Sequence, residues 1–314
     1  MQTLVRQLAF WVVLLAVARG ASGGQKLAIV VGVNDSPRFR LATGARPRPL
    51  AGAERDAAAL AELLRLKFGF APADVQLLTG QAATLEAVRG ALARVRGQAT
   101  AADDQVVFYF SGHGTQLTDR VPLDEPDELD EALCLFDAEA SGANMLVDDE
   151  LGRWLDALPC RRVTVVLDCC HAGTGTKDAD DEIVARFLPG AAQGDAARPL
   201  RDPPAGRWIE LNGGQKSLDR QRTAWFACQA EQQAYERRLD SGQTAQRRGQ
   251  FSYYLVEAFA TPAADRDGNG TITNREAFAY VAARLDETFN RLRSAARDRQ
   301  QPALEADRPE ESPF

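Results

Sequence analysis

Histidine is almost missing from this chain: among 314 residues there are two, His113 and His171. Lysine is nearly as scarce, with Lys26, Lys67, Lys177 and Lys216 the only four among 37 basic residues. Beside so much alanine, that imbalance reads as the codon usage of a GC-rich genome rather than as a binding surface. A formal net charge of −7 leaves no basic footprint for nucleic acid. No internal repeat is visible. The N-terminal apolar run, Leu8 to Ala18 (LAFWVVLLAVA), is too short for a comfortable membrane span. Five cysteines, at 134, 160, 169, 170 and 228, make an odd count. Vicinal Cys169–Cys170 is a poor structural bridge because neighbouring side chains diverge, so an unpaired cysteine suggests chemistry.

What is present starts with a leader. Arg6, the apolar run and the small residues Ala16-Val17-Ala18 make residues 1–24 read as a signal peptide, with an uncleaved anchor as the alternative. The chain is thus expected to be exported, to the periplasm or beyond the cell. Hydrophobic residues at 45% and charged residues at 26% suit a soluble core of one large or two smaller domains.

Strand and helix patterns then alternate. Apolar runs at Leu27–Val33, Val75–Leu78, Gln105–Phe110 and Arg162–Asp168 read as buried strands, and Ala53–Phe68, Leu85–Val95 and Asp149–Leu158 as helices. That alternation predicts an α/β fold with a mostly parallel sheet and helices on both faces. Residues 174–220, rich in Gly, Pro and charge, read as an exposed linker between a region at 25–173 and another at 221–300. In the latter, Thr223–Cys228 is expected as a strand, and Phe251–Phe259 and Arg275 to about Arg297 as helices. The tail at 301–314 is expected to be mobile.

Both histidines lie at strand ends. QVVFYF runs into Ser111-Gly112-His113-Gly114, and RVTVVLD into Cys169-Cys170-His171-Ala172-Gly173. Ligands bind at the carboxyl ends of such strands. A thiol of ordinary pKa is mostly protonated at neutral pH, so an imidazole that takes its proton makes it a nucleophile. Side chains alternate along an extended segment, which puts Asp168 and Cys170 on one side and Cys169 and His171 on the other. His113, arriving from an adjacent strand, is then the candidate base for Cys170. The N–H groups of Gly114 and Cys170 form a candidate oxyanion hole. Two buried structural residues are the bland alternative. A zinc site is disfavoured, because three consecutive residues cannot readily chelate one tetrahedral ion.

SGHG after one strand and D-C-C-H-x-G after another resemble the large-subunit signature of metacaspases and other caspase-like peptidases. AIVVGVND, LAGAERDA (Leu50–Ala57) and WFACQAEQQAYE (Trp225–Glu236) add weaker matches in the same order. The resemblance implies a caspase-like fold, a His113–Cys170 dyad, protein or peptide substrates and cleavage after Arg or Lys. It carries Asp56, Ser111 and Asp168 over as the substrate-binding pocket, although Ala53 stands where the family usually has a pocket cysteine. Paired carboxylates suit a guanidinium, which they bind through bidentate charged hydrogen bonds. The other reading of Asp56 is a solvated charge in a helix's first turn. Rival functions are an interaction module on the same fold and a peptidase of non-basic specificity. Self-cleavage within 174–220 is a further expectation, with Arg186, Arg198, Arg201, Arg207 and Lys216 as candidates that the sequence does not rank.

Residues 265–276 match a twelve-residue EF-hand loop. Asp265, Asp267 and Asn269 stand at positions 1, 3 and 5, and Gly270 at the turn. The Thr271 carbonyl falls at 7, Thr273 at 9 and Glu276 at 12, so Ca2+ is the expected cofactor. The family resemblance implies a second calcium site through Asp148 and Asp149, with Asp127 or Asp130 as an undecided further ligand.

Overall fold

The computed structural model describes residues 23–118, 129–170, 183–189, 220–239, 246–293 and 298–314. The leader falls almost wholly outside these, as do His171, Asp127 and most of the segment expected as a linker.

In chain order, the first apolar run forms β1 (Lys26–Gly32), and the helical spacing after it forms α1 (Ala53–Lys67). Then come β2 (Val75–Thr79) and α2 (Leu85–Gln98), the helix opened by Thr84, whose side chain accepts from the Ala87 N–H. QVVFYF becomes β3 (Gln105–Ser111). Three short strands not expected from the sequence follow, β4 (Gly114–Thr118), β5 (Leu129–Cys134) and β6 (Met145–Val147), leading into α3 (Asp148–Asp156). RVTVVLD is β7 (Arg162–Asp168). The last third contributes β8 (Ile183–Ala185), β9 (Gln221–Phe226), β10 (Tyr235–Leu239) and β11 (Gln246–Gly249). It ends with α4 (Gln250–Ala260), α5 (Asn274–Thr288) and β12 (Ala303–Ala306).

The central sheet has six strands in the order β12-β9-β7-β3-β1-β2, parallel except for β12. Its period-two alternation feeds two cores. Ala28, Val30, Val107, Tyr109 and Val166 pack against α1, α4 and α5 through Leu60, Leu64, Leu255 and Val281. Leu27, Ile29, Phe108 and Val165 pack against α2 and α3 through Val88, Leu92, Leu151 and Leu155. The β3–β7 register pairs Ser111 with Asp168, so the two strands finish level at one edge of the sheet. Two smaller antiparallel sheets, β4-β5-β6 and β11-β10-β8, stand apart from the six-stranded one.

Three expectations need correction. The tail from Gln301 is built into the fold: β12 pairs antiparallel with β9, Phe314 is buried, and the Pro313 carbonyl accepts from Gln105 Nε2 (3.0 Å) and Thr164 Oγ1 (2.6 Å). The last helix stops at Thr288 rather than near Arg297, because Asn290 turns into a buried reciprocal pair with the Gln300 backbone. Within the segment expected as an exposed linker, residues 183–188 are an ordered strand and its extension, with Arg186 fully buried.

Candidate active site

Two residues beyond the Ser111–Asp168 pair, just past the ends of β3 and β7, lie His113 and Cys170. Cys170 belongs to the α1/α4/α5 core and Cys169 to the opposite one, so the vicinal thiols face away from each other. His113 is almost fully buried. Its Nε2 stands 3.3 Å from the Arg48 carbonyl, while Nδ1 is buried without a hydrogen-bond partner. With Nε2–H donating to that carbonyl, Nδ1 is the free acceptor. Burial, with the Arg186 charge second, lowers the imidazole pKa to about 3. Burial likewise pushes the Cys170 thiol up to about 12, although backbone hydrogen bonding at Ala234 and the Arg186 charge pull the other way. In this state both groups are neutral at neutral pH. All five cysteines are buried, and none forms a disulfide.

The N–H groups of Gly114 and Cys170 converge on one oxygen, the Arg186 carbonyl, at 2.9 and 3.3 Å. Convergence of two backbone donors on a single carbonyl is the arrangement that stabilises an oxyanion. The residue supplying the carbonyl also fills the neighbouring pocket. Arg186 Nη2 donates to Asp56 Oδ2 at 2.7 Å, and Nη1 donates to Ser111 Oγ (2.5 Å) and the Asp168 carbonyl (3.0 Å). The Asp168 carboxylate lies 3.2 Å from Nη1 and that of Glu236 3.8 Å from Nη2. All five side chains are fully buried.

Asp56 is therefore no solvated charge, although it does sit in the first turn of α1. Besides Arg186 it accepts from Arg248 Nε (2.6 Å), the Gly249 N–H (2.8 Å) and Ser111 Oγ (3.3 Å). Asp168 Oδ2 accepts from the Ser252 N–H at the start of α4. Burial raises the Asp168 pKa, while Arg186 opposes that shift. For Arg186 itself burial works to remove the charge, but Asp168, Asp56 and Glu236 more than offset it and raise its pKa. Gly249 forms the end wall. A Cβ there would lie 2.3 Å from Asp168 Oδ2 and 2.6 Å from Arg186 Nη2.

Sequence reasoning missed several of these parts. Glu236 closes the motif WFACQAEQQAYE, and its carboxylate accepts from the Ala51 and Gly52 N–H groups, both at 2.9 Å. An acidic residue at the end of a recognised motif was the available signal. The Arg48 carbonyl, the Gly249 wall and the Ser252 N–H are backbone features that no residue type announces.

The EF-hand-like loop lies far along the chain from this edge, between α4 and α5. One carboxylate oxygen from each of Asp265, Asp267 and Glu276 falls within 4.8 Å of the others. Asp265 accepts from the N–H groups of Gly268 and Gly270, both at 2.9 Å, and Asn269 Oδ1 from Thr271 N–H at 2.7 Å. Gly270 has φ +82°, the left-handed turn that the loop's sixth position demands. Asp148 and Asp149 open α3, and Asp149 pairs with Arg153 at 2.8 Å. Among the described residues, the only three His, Cys, Asp or Glu side chains whose ligand atoms all lie within 4.8 Å of one another are those of Asp265, Asp267 and Glu276.

Comparison with known proteins agrees with the geometry. The family model for the caspase domain matches residues 25–312. Metacaspase-3 of Arabidopsis thaliana is 33% identical over 159 residues, covering 48% of this chain and 41% of that protein. Metacaspase-2 of Trypanosoma brucei brucei is 40% identical over 73 residues, 23% of this chain and 20% of that protein. The chain thus aligns with less than half the length of these relatives. A solved structure from Geobacter sulfurreducens covers 90% of this chain and 93% of its own, with a TM-score of 0.57 at 22% identity, a likeness of fold. With its sheet, its strand-end histidine and cysteine and this match across nearly its whole length, the chain belongs to the caspase domain family.

Proposed function

We propose that this chain is a cysteine endopeptidase that cuts on the carboxyl side of arginine or lysine, with Cys170 as nucleophile and His113 as general base and then acid. The observation that carries the reading is a single carbonyl held by the Gly114 and Cys170 N–H groups, whose own guanidinium lies among Asp56, Asp168 and Glu236. The thiol proton passes to His113 Nδ1 as Sγ attacks the carbonyl carbon. Negative charge then develops on the oxygen between the two N–H donors, each such donor being worth about 10²–10³ in rate. His113 returns the proton to the leaving nitrogen, and water cleaves the thioester. Arginine suits the pocket better than lysine, because its planar fork reaches Asp56, Ser111 and the Asp168 carbonyl together.

The test is covalent labelling by a thiol-reactive peptide ending in arginine. Label should be lost in Cys170→Ala and kept in Cys169→Ala. An inert Cys170, or a panel of peptides cut after aspartate and not after arginine, would sink the reading.

Calcium is the second part of the proposal. The donor set at 265–276 fits the ion, since its oxygens already converge and its turn glycine has the needed backbone. Asp265, Asp267, Asn269, the Thr271 carbonyl and Glu276 would hold it, bracing α4 against α5. A further ion at Asp148 and Asp149 would take Asp127 or Asp130 as another ligand; Asp130 lies on β5 and Asp127 outside the described residues. Export through residues 1–24 completes the reading, and the N-terminal sequence of the mature protein tests it.

A further inference from the structure

We infer that residues 183–188 are this enzyme's own substrate, held in the active site with the Arg186–Phe187 bond in the scissile position. The inference rests on the peptidase reading and names what regulates that site. A buried arginine serving structure alone needs partners for its guanidinium. It has no reason also to place its carbonyl on the two N–H groups beside Cys170, as Arg186 does. The backbone on either side is docked as well. Before Arg186, β8 pairs antiparallel with β10, matching Ile183 to Arg237, Val184 to Glu236 and Ala185 to Tyr235, and the Arg186 N–H donates to the Ala234 carbonyl at 2.9 Å. Strand addition of this kind is a standard way to bind an extended peptide. After Arg186, the Leu188 N–H donates to the Gly114 carbonyl at 2.8 Å, and Thr115 Oγ1 donates to the Leu188 carbonyl at 2.6 Å. Val184 packs with Leu50 and Ala53, Leu188 with Phe39 and Leu117, and Phe187 is buried near Cys170. Six consecutive residues are thereby gripped on both sides of one peptide bond.

The reaction balances within the chain plus one water. Cys170 Sγ bonds to the Arg186 carbonyl carbon as its proton moves to His113. The bond to the Phe187 nitrogen breaks and that nitrogen takes the proton. Water then adds OH to the acyl carbon and returns H to the sulfur. The products are a fragment ending in the Arg186 carboxylate and a fragment beginning with the Phe187 amine. Until that cut, the pocket is filled from within and an outside arginine must displace it. Afterwards the prime-side residues are no longer joined to Arg186, so only β8 and the guanidinium hold the occupant.

The full chain should be prepared as wild type and as Cys170→Ala, Arg186→Gln, Arg186→Lys and Phe187→Pro. Intact mass, N-terminal sequencing and hydrolysis of a fluorogenic peptide ending in arginine are then read for each. Wild type should yield a new N-terminus at Phe187, and Cys170→Ala should stay whole. Phe187→Pro should resist cutting at this bond and remain self-occupied, hydrolysing the probe about tenfold or more slowly than processed wild type, as expected when the competent state is a minor one. Arg186→Gln should stay uncut there yet hydrolyse the probe faster than Phe187→Pro. Glutamine leaves three buried carboxylates short of a cation, so Arg186→Lys keeps the test valid if that variant fails to fold: it retains the charge and should still be cut between 186 and 187. New N-termini elsewhere with the Arg186–Phe187 bond intact, or equal probe rates for Phe187→Pro and processed wild type, would overturn the inference. If the probe is cut in a Cys170-dependent way while that bond survives, this inference alone fails. If no form cuts any basic probe, the peptidase reading fails with it.

Discussion

Replacing Asp56 by alanine tests the pocket most directly, because four hydrogen bonds end on its carboxylate. Loss of one partner from a buried ion pair can cost about 3–5 kcal/mol when the other charge is left stranded. That full cost does not apply here. A bound guanidinium keeps Asp168 at 3.2 Å and Glu236 at 3.8 Å, and Arg248 reaches solvent and can turn outward. What disappears is one charged hydrogen bond of 2.7 Å, of a kind worth about 1.5–3 kcal/mol, or roughly 10- to 150-fold in kcat/KM. The folding cost is mainly the orphaned Gly249 N–H, about 1–3 kcal/mol, softened by relief of repulsion among three carboxylates. The assay compares matched peptides carrying arginine or citrulline, its uncharged near-isostere, at the cleaved position, using processed enzyme. The arginine-to-citrulline ratio of kcat/KM should collapse by the factor above, while the citrulline value moves only a few-fold. Equal losses on both peptides would refute the electrostatic reasoning and leave a folding defect as the cause.

The end wall gives a steric counterpart. Gly249→Ala should abolish cleavage after arginine and destabilise the self-occupied chain by about 1–3 kcal/mol in urea titrations, and unchanged arginine kinetics would show that the wall gives way. For calcium, Glu276→Gln separates two roles of one side chain, which also completes the capping box of α5 with Thr273. Glutamine still caps, so the calcium-free melting temperature should hardly move, while the rise in melting temperature on adding calcium should vanish; a rise equal to wild type would exclude Glu276 as a ligand. Acid offers a further test. His113 is held neutral, its pKa lowered from 6.5 to about 3 by burial and by Arg186. As pH falls below 6.5 the unfolded chain therefore binds a proton that the folded one does not, and stability should drop by up to about 1.4 kcal/mol per pH unit. Asp168, with its pKa raised by burial, acts in the opposite sense. The slope of urea midpoints from pH 7 to pH 5 should thus shrink in His113→Gln, and an unchanged slope would count against a buried neutral imidazole.

What the sequence made legible, and what it did not, follows from which interactions write themselves into residue types. The sheet was legible because β1, β3 and β7 are buried on both faces and so read as continuous apolar runs. Their ends were legible because a histidine and a cysteine each follow such a run, and strand alternation sorts Cys170 from Cys169. Edge and crossing strands were not. β12 is held by backbone pairing to β9 and by the Pro313 carbonyl, so a segment of Pro and Glu is ordered by bonds its composition does not encode. The same blindness hid the residue at the centre of the site. Ile183 to Leu188 is a short apolar run interrupted only by Arg186, set in a segment whose average is Gly, Pro and charge, and Arg186 resembles any other arginine there. What distinguishes it is long-range: Asp56 lies 130 residues away and Ser111 75 away, and the carbonyl's two donors come from different strand ends. One local hint existed. Arg186 is the basic candidate in that segment with an unbroken apolar strand before it and an aromatic after it, and a peptide must be extended and apolar to be gripped on both sides of its cleaved bond. On the proposed reading, specificity for a basic residue and self-capture of Arg186 are two consequences of one arrangement, three buried carboxylates gathered around a single guanidinium, which the chain supplies itself until an outside substrate replaces it.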